Sequence, residues 1–173
     1  MIDPLPDLAL RSALALLFAA SAFAKLRDVD RFTAAVAGYR ILPVRLARPA
    51  ALGFLALELA LAPALLSPPL RAAAGLAAAA LLGLYAFAIA VNLARGRRHI
   101  DCGCAGPGGR QAISGPLAAR NALLASAALA LAAPVAARHW LWLDSLTLLA
   151  AVSVSACLYA ATNALLARPL EPR

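Results

Sequence analysis

Two cysteines one residue apart, Cys102 and Cys104, lie in the stretch Arg97-Arg98-His99-Ile100-Asp101-Cys102-Gly103-Cys104-Ala105-Gly106-Pro107-Gly108-Gly109-Arg110, which interrupts a nearly continuous series of apolar segments. Thiols this close can close only a very small disulfide ring, strained unless the residue between them is permissive, as Gly103 is. Strained disulfides are the labile, exchangeable kind. Arg97, Arg98 and Arg110 favour thiolate, and Asp101 either opposes them or accepts a proton. Thiol–disulfide exchange is therefore the first chemistry to consider for Cys102, Cys104 and Asp101, with inert loop cysteines as the plain structural alternative. A metal site is the weaker functional reading, because tetrahedral zinc wants four ligands and His99, Asp101 and the two thiols are too crowded to surround one ion.

Ionisable or amide side chains in the apolar segments are the remaining candidates. Glu58 falls near the middle of one, where such a group is costly and marks function by default; equally, it could simply pair with a helix-end cation such as Lys25 or Arg120. Asn92, Arg120, Asn121 and Asn163 fall on the cysteine side of their helices and could form a polar cup beneath the loop, or join helices by hydrogen bonds. Cys157 lies deep in the last apolar segment and reads as a small packing residue.

These groups need a scaffold that is not water-soluble. Of 173 residues 64% are hydrophobic and 14% charged, with mean hydropathy +0.82, so the apolar excess must face lipid. The net charge of +8 does not indicate nucleic acid, since the arginines sit at the ends of apolar segments, where they anchor helices to headgroups. Alanine and leucine dominate and favour helix. The expectation is an all-α polytopic membrane bundle forming a single domain, 1–173. Its spans fall at about 8–24, 50–66, 72–94, 117–137 and 145–167, with the cysteine loop at 95–116. Ala20-Ser21-Ala22-Phe23-Ala24 has the look of a signal-peptidase site. The acidic start, with Asp3 and Asp7, speaks for an anchor instead.

Between the first two spans, Phe32, Val36 and Tyr39 recur at helical spacing and suggest a short amphipathic helix at the interface. Trp140 and Trp142 stand where an aromatic belt belongs. With five spans, Arg11, Arg71 and Arg138 fall on one face and the remaining 13 of the 16 Lys and Arg residues on the other. The positive-inside rule then puts the cysteine loop on the cytoplasmic side and the amino terminus outside.

From Asn92 through Asp101-Cys102-Gly103-Cys104, and then at Gly106, Ile113-Ser114 and Arg120-Asn121, the chain resembles the methylamine utilisation protein MauE family, itself similar to DoxX-like membrane proteins. The likeness extends upstream through Lys25-Leu26-Arg27-Asp28, Phe32, Tyr39-Arg40-Ile41-Leu42-Pro43 and Glu58, covering about residues 8–135. The resemblance implies a four-helix DoxX-like core, to which the sequence adds a fifth span. It also implies a multi-pass protein of the bacterial inner membrane, needed for maturation of the disulfide-rich small subunit of methylamine dehydrogenase and acting with a thioredoxin-like partner, MauD.

Thiols at the cytoplasmic face are kept reduced, so a loop there suits an outward relay of reducing equivalents better than direct oxidation of secreted thiols. Crossing the bilayer then requires a mobile loop, Cys157, or a quinone in the bundle, for which no sequence signature stands out. Three readings follow in order: a redox relay using a Cys102–Cys104 disulfide, supported by Arg97, Arg98, Arg120, Asn121, Asn92, Glu58 and Lys25; a non-enzymatic assembly or anchoring factor for the thioredoxin-like protein; and a small transporter centred on Glu58.

Overall fold

A computed structural model describes residues 2–103 and 111–166. Among them the chain forms six α-helices and no named strand: α1 (Pro4–Arg27), α2 (Val29–Gly38), α3 (Val44–Leu66), α4 (Arg71–Ala94), α5 (Gly115–Leu129) and α6 (Trp142–Leu166). All but α2 are long and apolar enough to cross a membrane, counting for α5 the 3₁₀ turn Ala130–Ala132 that extends it. The bundle is all-α and fits a multi-pass membrane protein.

Local chemistry fixes the helix ends. The Asp3 carboxylate accepts the Leu5 N–H at 2.9 Å, with prolines at the start of α1 where no amide proton is needed. Asp28 closes α1 and caps α2 through the Arg31 N–H at 2.9 Å. The helix expected to run to about residue 137 ends at Leu129, followed by the 3₁₀ turn and an extended segment through Pro134. That segment bridges to the amino terminus, where the Ile2 N–H donates to the Pro134 carbonyl at 2.9 Å. Proline here has no amide hydrogen to continue the helix.

The core between α1, α3, α4 and α5 is built from Leu14, Phe18, Leu61, Leu65, Leu82 and Leu131, interleaved with Ala74, Ala78 and Ala128. Small residues let the helices approach closely in lipid, where apolar burial alone does not drive association. At Gly75 the approach is extreme: a Cβ there would stand 2.6 Å from the Leu131 Cβ.

Helix α6 is held differently, with none of its most apolar window buried. Polar contacts tie it at both ends. Arg138 forms ion pairs with Asp3 (2.8 Å) and Asp144 (2.7 Å) at one end, and Arg120 bonds to Asn163 at the other. The guanidinium of Arg138 holds the Asp3 carboxyl below its ordinary 3.8. A second cluster joins Asp7 to Arg11 (3.0 Å) and Arg71 (2.7 Å), so Arg11, Arg71 and Arg138 each pair with an aspartate.

Candidate functional site

At the opposite end of the bundle, residues 100–103 and 111–113 run antiparallel after α4. The Cys102 N–H donates to the Gln111 carbonyl at 2.8 Å and the Ile113 N–H to the Ile100 carbonyl at 3.0 Å. Ile100, Cys102 and Ile113 turn inward and pack with Ile89 and Leu117, which leaves Cys102 only 6% exposed. Cys104 lies outside the described residues, as does Arg110.

Three clamps dock this segment on α2. Gly103 has φ +71°, and a Cβ there would stand 3.1 Å from Phe32 Cδ2 and 3.2 Å from Ala35 Cβ, so both the left-handed turn and the close approach require glycine. Asp101 pairs with Arg31 (3.0 Å) and accepts the N–H groups of Gly103 (3.2 Å) and Gln111 (3.4 Å). Its carboxylate is thus committed to holding the thiol-bearing turn. Finally, Arg97 donates to the carbonyls of Tyr39 (3.2 Å) and Gly38 (3.0 Å) and to the Asn92 side chain (3.0 Å), a cation at the negative end of α2. Asn92 is fully buried and donates in turn to the Ala88 carbonyl. Arg98 and His99 are exposed.

Beneath the turn, Lys25 and Glu58 form an ion pair 2% and 1% exposed. Of the two partners expected for Glu58, Lys25 is the one the structure brings to it. Tyr85 completes the group by donating to Glu58 Oε1 at 2.9 Å and accepting from Lys25 at 3.4 Å. The Lys25 ammonium also lies 4.6 Å from the Phe32 ring centroid and 5.0 Å from that of Tyr85. A buried pair tolerates its desolvation only with such added contacts.

Between this group and Cys102 is a cavity of about 250 Å³, bounded by Phe32, Tyr39, Phe54, Tyr85, Lys25 and Cys102. Helix α2 supplies one wall. Its spacing was legible as amphipathic, yet its apolar face packs over the bundle with Phe32 and Ala35 buried.

The polar cup expected beneath the loop forms only in part. Arg120 turns to α6, bonding Asn163 and facing the Tyr159 ring at 5.0 Å. Asn121 is buried and accepts from Arg120 at 3.3 Å; neither lines the cavity. Cys157, expected as a packing residue, is exposed on α6. Sequence reasoning missed Tyr85 and Arg31. A lone hydroxyl-bearing aromatic in an otherwise uncharged span was the available signal for Tyr85. Among the described residues no group of three His, Cys, Asp or Glu gathers as metal ligands would.

The family profile described as Methylamine utilisation protein MauE matches residues 4–134, from α1 through α5 and the turn that ends it. Three curated proteins, each named Methylamine utilization protein MauE, are similar to the chain. That of Paracoccus denitrificans is 46% identical over 132 residues, covering 76% of this chain and 71% of the relative. The one from Methylophilus methylotrophus is 54% identical over 90 residues, 52% of this chain and 47% of its own length. The Methylorubrum extorquens protein is 43% identical over 132 residues, again 76% and 71% of the two chains. No solved structure matches.

Proposed function

Because the chain belongs to the methylamine utilisation protein MauE family, we propose that it is a membrane thiol–disulfide exchange protein of methylamine utilisation, with Cys102 and Cys104 as its redox pair. In this reading the pair cycles between dithiol and disulfide with a thioredoxin-like, MauD-like partner. The outcome is maturation of a disulfide-containing extracytoplasmic client, the small subunit of methylamine dehydrogenase. It works in the bacterial inner membrane with its cysteine end at the cytoplasmic face, where Lys and Arg are concentrated.

The observation that carries this reading is the investment in Cys102. Glycine at 103, the Asp101–Arg31 pair and the Arg97 clamp all fix the turn bearing that thiol against a cavity inside the bundle. A structural cysteine needs no such orientation, whereas an exchanging one must be presented in a fixed geometry to a partner sulfur. Glu58 has a structural occupation beside Lys25, so the reading needs no transport role for it.

Replacing Cys102 or Cys104 by serine, alone or together, in a host lacking its own copy tests the function. The expected result is loss of correctly disulfide-bonded small subunit in every variant. The exposed arginines 40, 45, 48, 95 and 98 around the site favour one second reading, a non-enzymatic factor that recruits the thioredoxin-like protein through a basic surface. Full maturation in the double serine variant would select it.

A further inference from the structure

We propose that the cavity beneath Cys102 binds the ring of a lipid-soluble quinone, which takes the electron pair released when the cysteine pair closes to a disulfide. This inference rests on the exchange reading above and names its acceptor.

Four features point to that chemistry. The walls are apolar and aromatic, with Phe32 from α2, Phe54 from α3 and Tyr85 from α4. Phe54 and Tyr85 meet edge to face, ring centroids 5.9 Å apart at 71°, an arrangement suited to flank a flat ring. The floor is polar: an ammonium has three N–H donors, the contacts of Lys25 to Glu58 and Tyr85 use two, and Lys25 lines the cavity. Its remaining donor and its charge would meet a ring carbonyl and stabilise the oxyanion that forms on reduction. An acyl chain would offer that ammonium no acceptor beyond the Phe32 and Tyr85 rings it already faces.

The third feature is the opening. Ile41, Leu42 and Leu84 line one side of the cavity and are themselves 45%, 40% and 46% exposed. In a bundle surrounded by lipid, Leu84 within α4 would open the site toward the hydrocarbon phase, where quinones dissolve, with Ile41 and Leu42 at its interfacial rim beside Arg40. Fourth, Cys102 is part of the wall, so this cysteine adjoins the enclosure that would hold the ring.

The stoichiometry closes. Two S–H bonds break and one S–S bond forms; the two electrons and two protons pass to the two ring carbonyl oxygens, giving the quinol. A quinol diffuses within the bilayer and reaches both leaflets, so it supplies the crossing that a thiol pair fixed at one face cannot make.

The test uses the full-length protein in lipid nanodiscs. Reduced protein is mixed anaerobically with decylubiquinone, and quinol formation and disulfide formation are followed together; an azidoquinone photolabel is mapped on the Cys102→Ser protein, which keeps the cavity. Expected are one quinol per disulfide and labelling of α2 and α4 peptides. Ala88→Phe, which fills the cavity and is checked for folding by its melting temperature, should slow quinol formation by about tenfold or more. In parallel, cycling of the wild-type pair in a glutathione buffer tests the exchange reading alone. Cysteines that cycle with glutathione while quinone is neither reduced nor crosslinked to α2 or α4 would overturn the acceptor and leave exchange standing. Cysteines inert in both assays would overturn exchange and electron transfer together, with the photolabel still reporting binding by itself.

Discussion

Cys102 is 6% exposed and borders the cavity, whereas Cys157 is exposed on α6. Backbone geometry maintains the first placement. Gly103→Ala would force a Cβ into Phe32 and Ala35 at a positive φ, a strain of roughly 1–3 kcal/mol, and should lift the turn off α2. Alkylation of Cys102 by a small maleimide in the Cys104→Ser background is expected to speed up severalfold; an unchanged rate would show that the turn is not held there. Lys25→Met removes the buried cation from Glu58 and leaves it only the Tyr85 hydroxyl, at a cost of about 3–5 kcal/mol. The Lys25→Met/Glu58→Gln double variant should recover much of the lost melting temperature. The motif around Cys102 and the buried pairing of Glu58 were both legible from residue type and depth in the chain. Tyr85 and Arg31 were not singled out, because a hydroxyl-bearing aromatic carries no charge that demands a partner in an apolar span and Arg31 is one of several basic residues in its segment, so neither residue type by itself points to the contact it makes.

Among the elements, α2 and α6 mark the two limits of what periodicity reveals. Phe32, Val36 and Tyr39 identify a helix with one apolar face, but an interface helix and a helix folded over a bundle end share that pattern; Gly103 and Arg97 decide between them by docking on α2. The end of α5 at Leu129 was hidden because alanine and leucine favour helix on both sides of it, and Pro134 acts only through the segment paired to Ile2. Helix α6 lies beyond the residues matched by the family profile and rests on polar ties. Arg138→Ala removes the pairs to Asp3 and Asp144 at once and should increase proteolysis at residues 133–141, with disulfide cycling of the Cys102 pair unaffected. Because Arg138 lowers the Asp3 pKa, the Asp3 pair contributes above the ordinary carboxylate value of 3.8 and is lost only as pH falls through the depressed one. Proteolysis of the wild type should therefore stay constant from neutral pH down to about 4; a rise near pH 6 would contradict this attachment.

Across the whole molecule, charge is sorted by face. Arg11, Arg71 and Arg138 at one end are each matched by an aspartate, while among the described residues the segments flanking the cysteine turn carry the exposed Arg40, Arg45, Arg48, Arg95 and Arg98. In the reading proposed above, the positive-inside rule turns the cysteine end toward the cytoplasm. Sequence alone was enough for the all-α bundle, since it follows from composition and spacing. The enclosure shared by Cys102, Lys25 and Tyr85 was not legible, because it requires α1, α2, α3 and α4 to meet. The most direct measurement is thiol trapping with a membrane-impermeant maleimide on intact cells and inverted vesicles, with and without prior reduction, for the wild type and for Cys102→Ser, Cys104→Ser and Cys157→Ser. The expected result is a Cys102–Cys104 pair that alternates between dithiol and disulfide and is labelled from inverted vesicles alone. A pair that stays a dithiol under every condition would contradict the account.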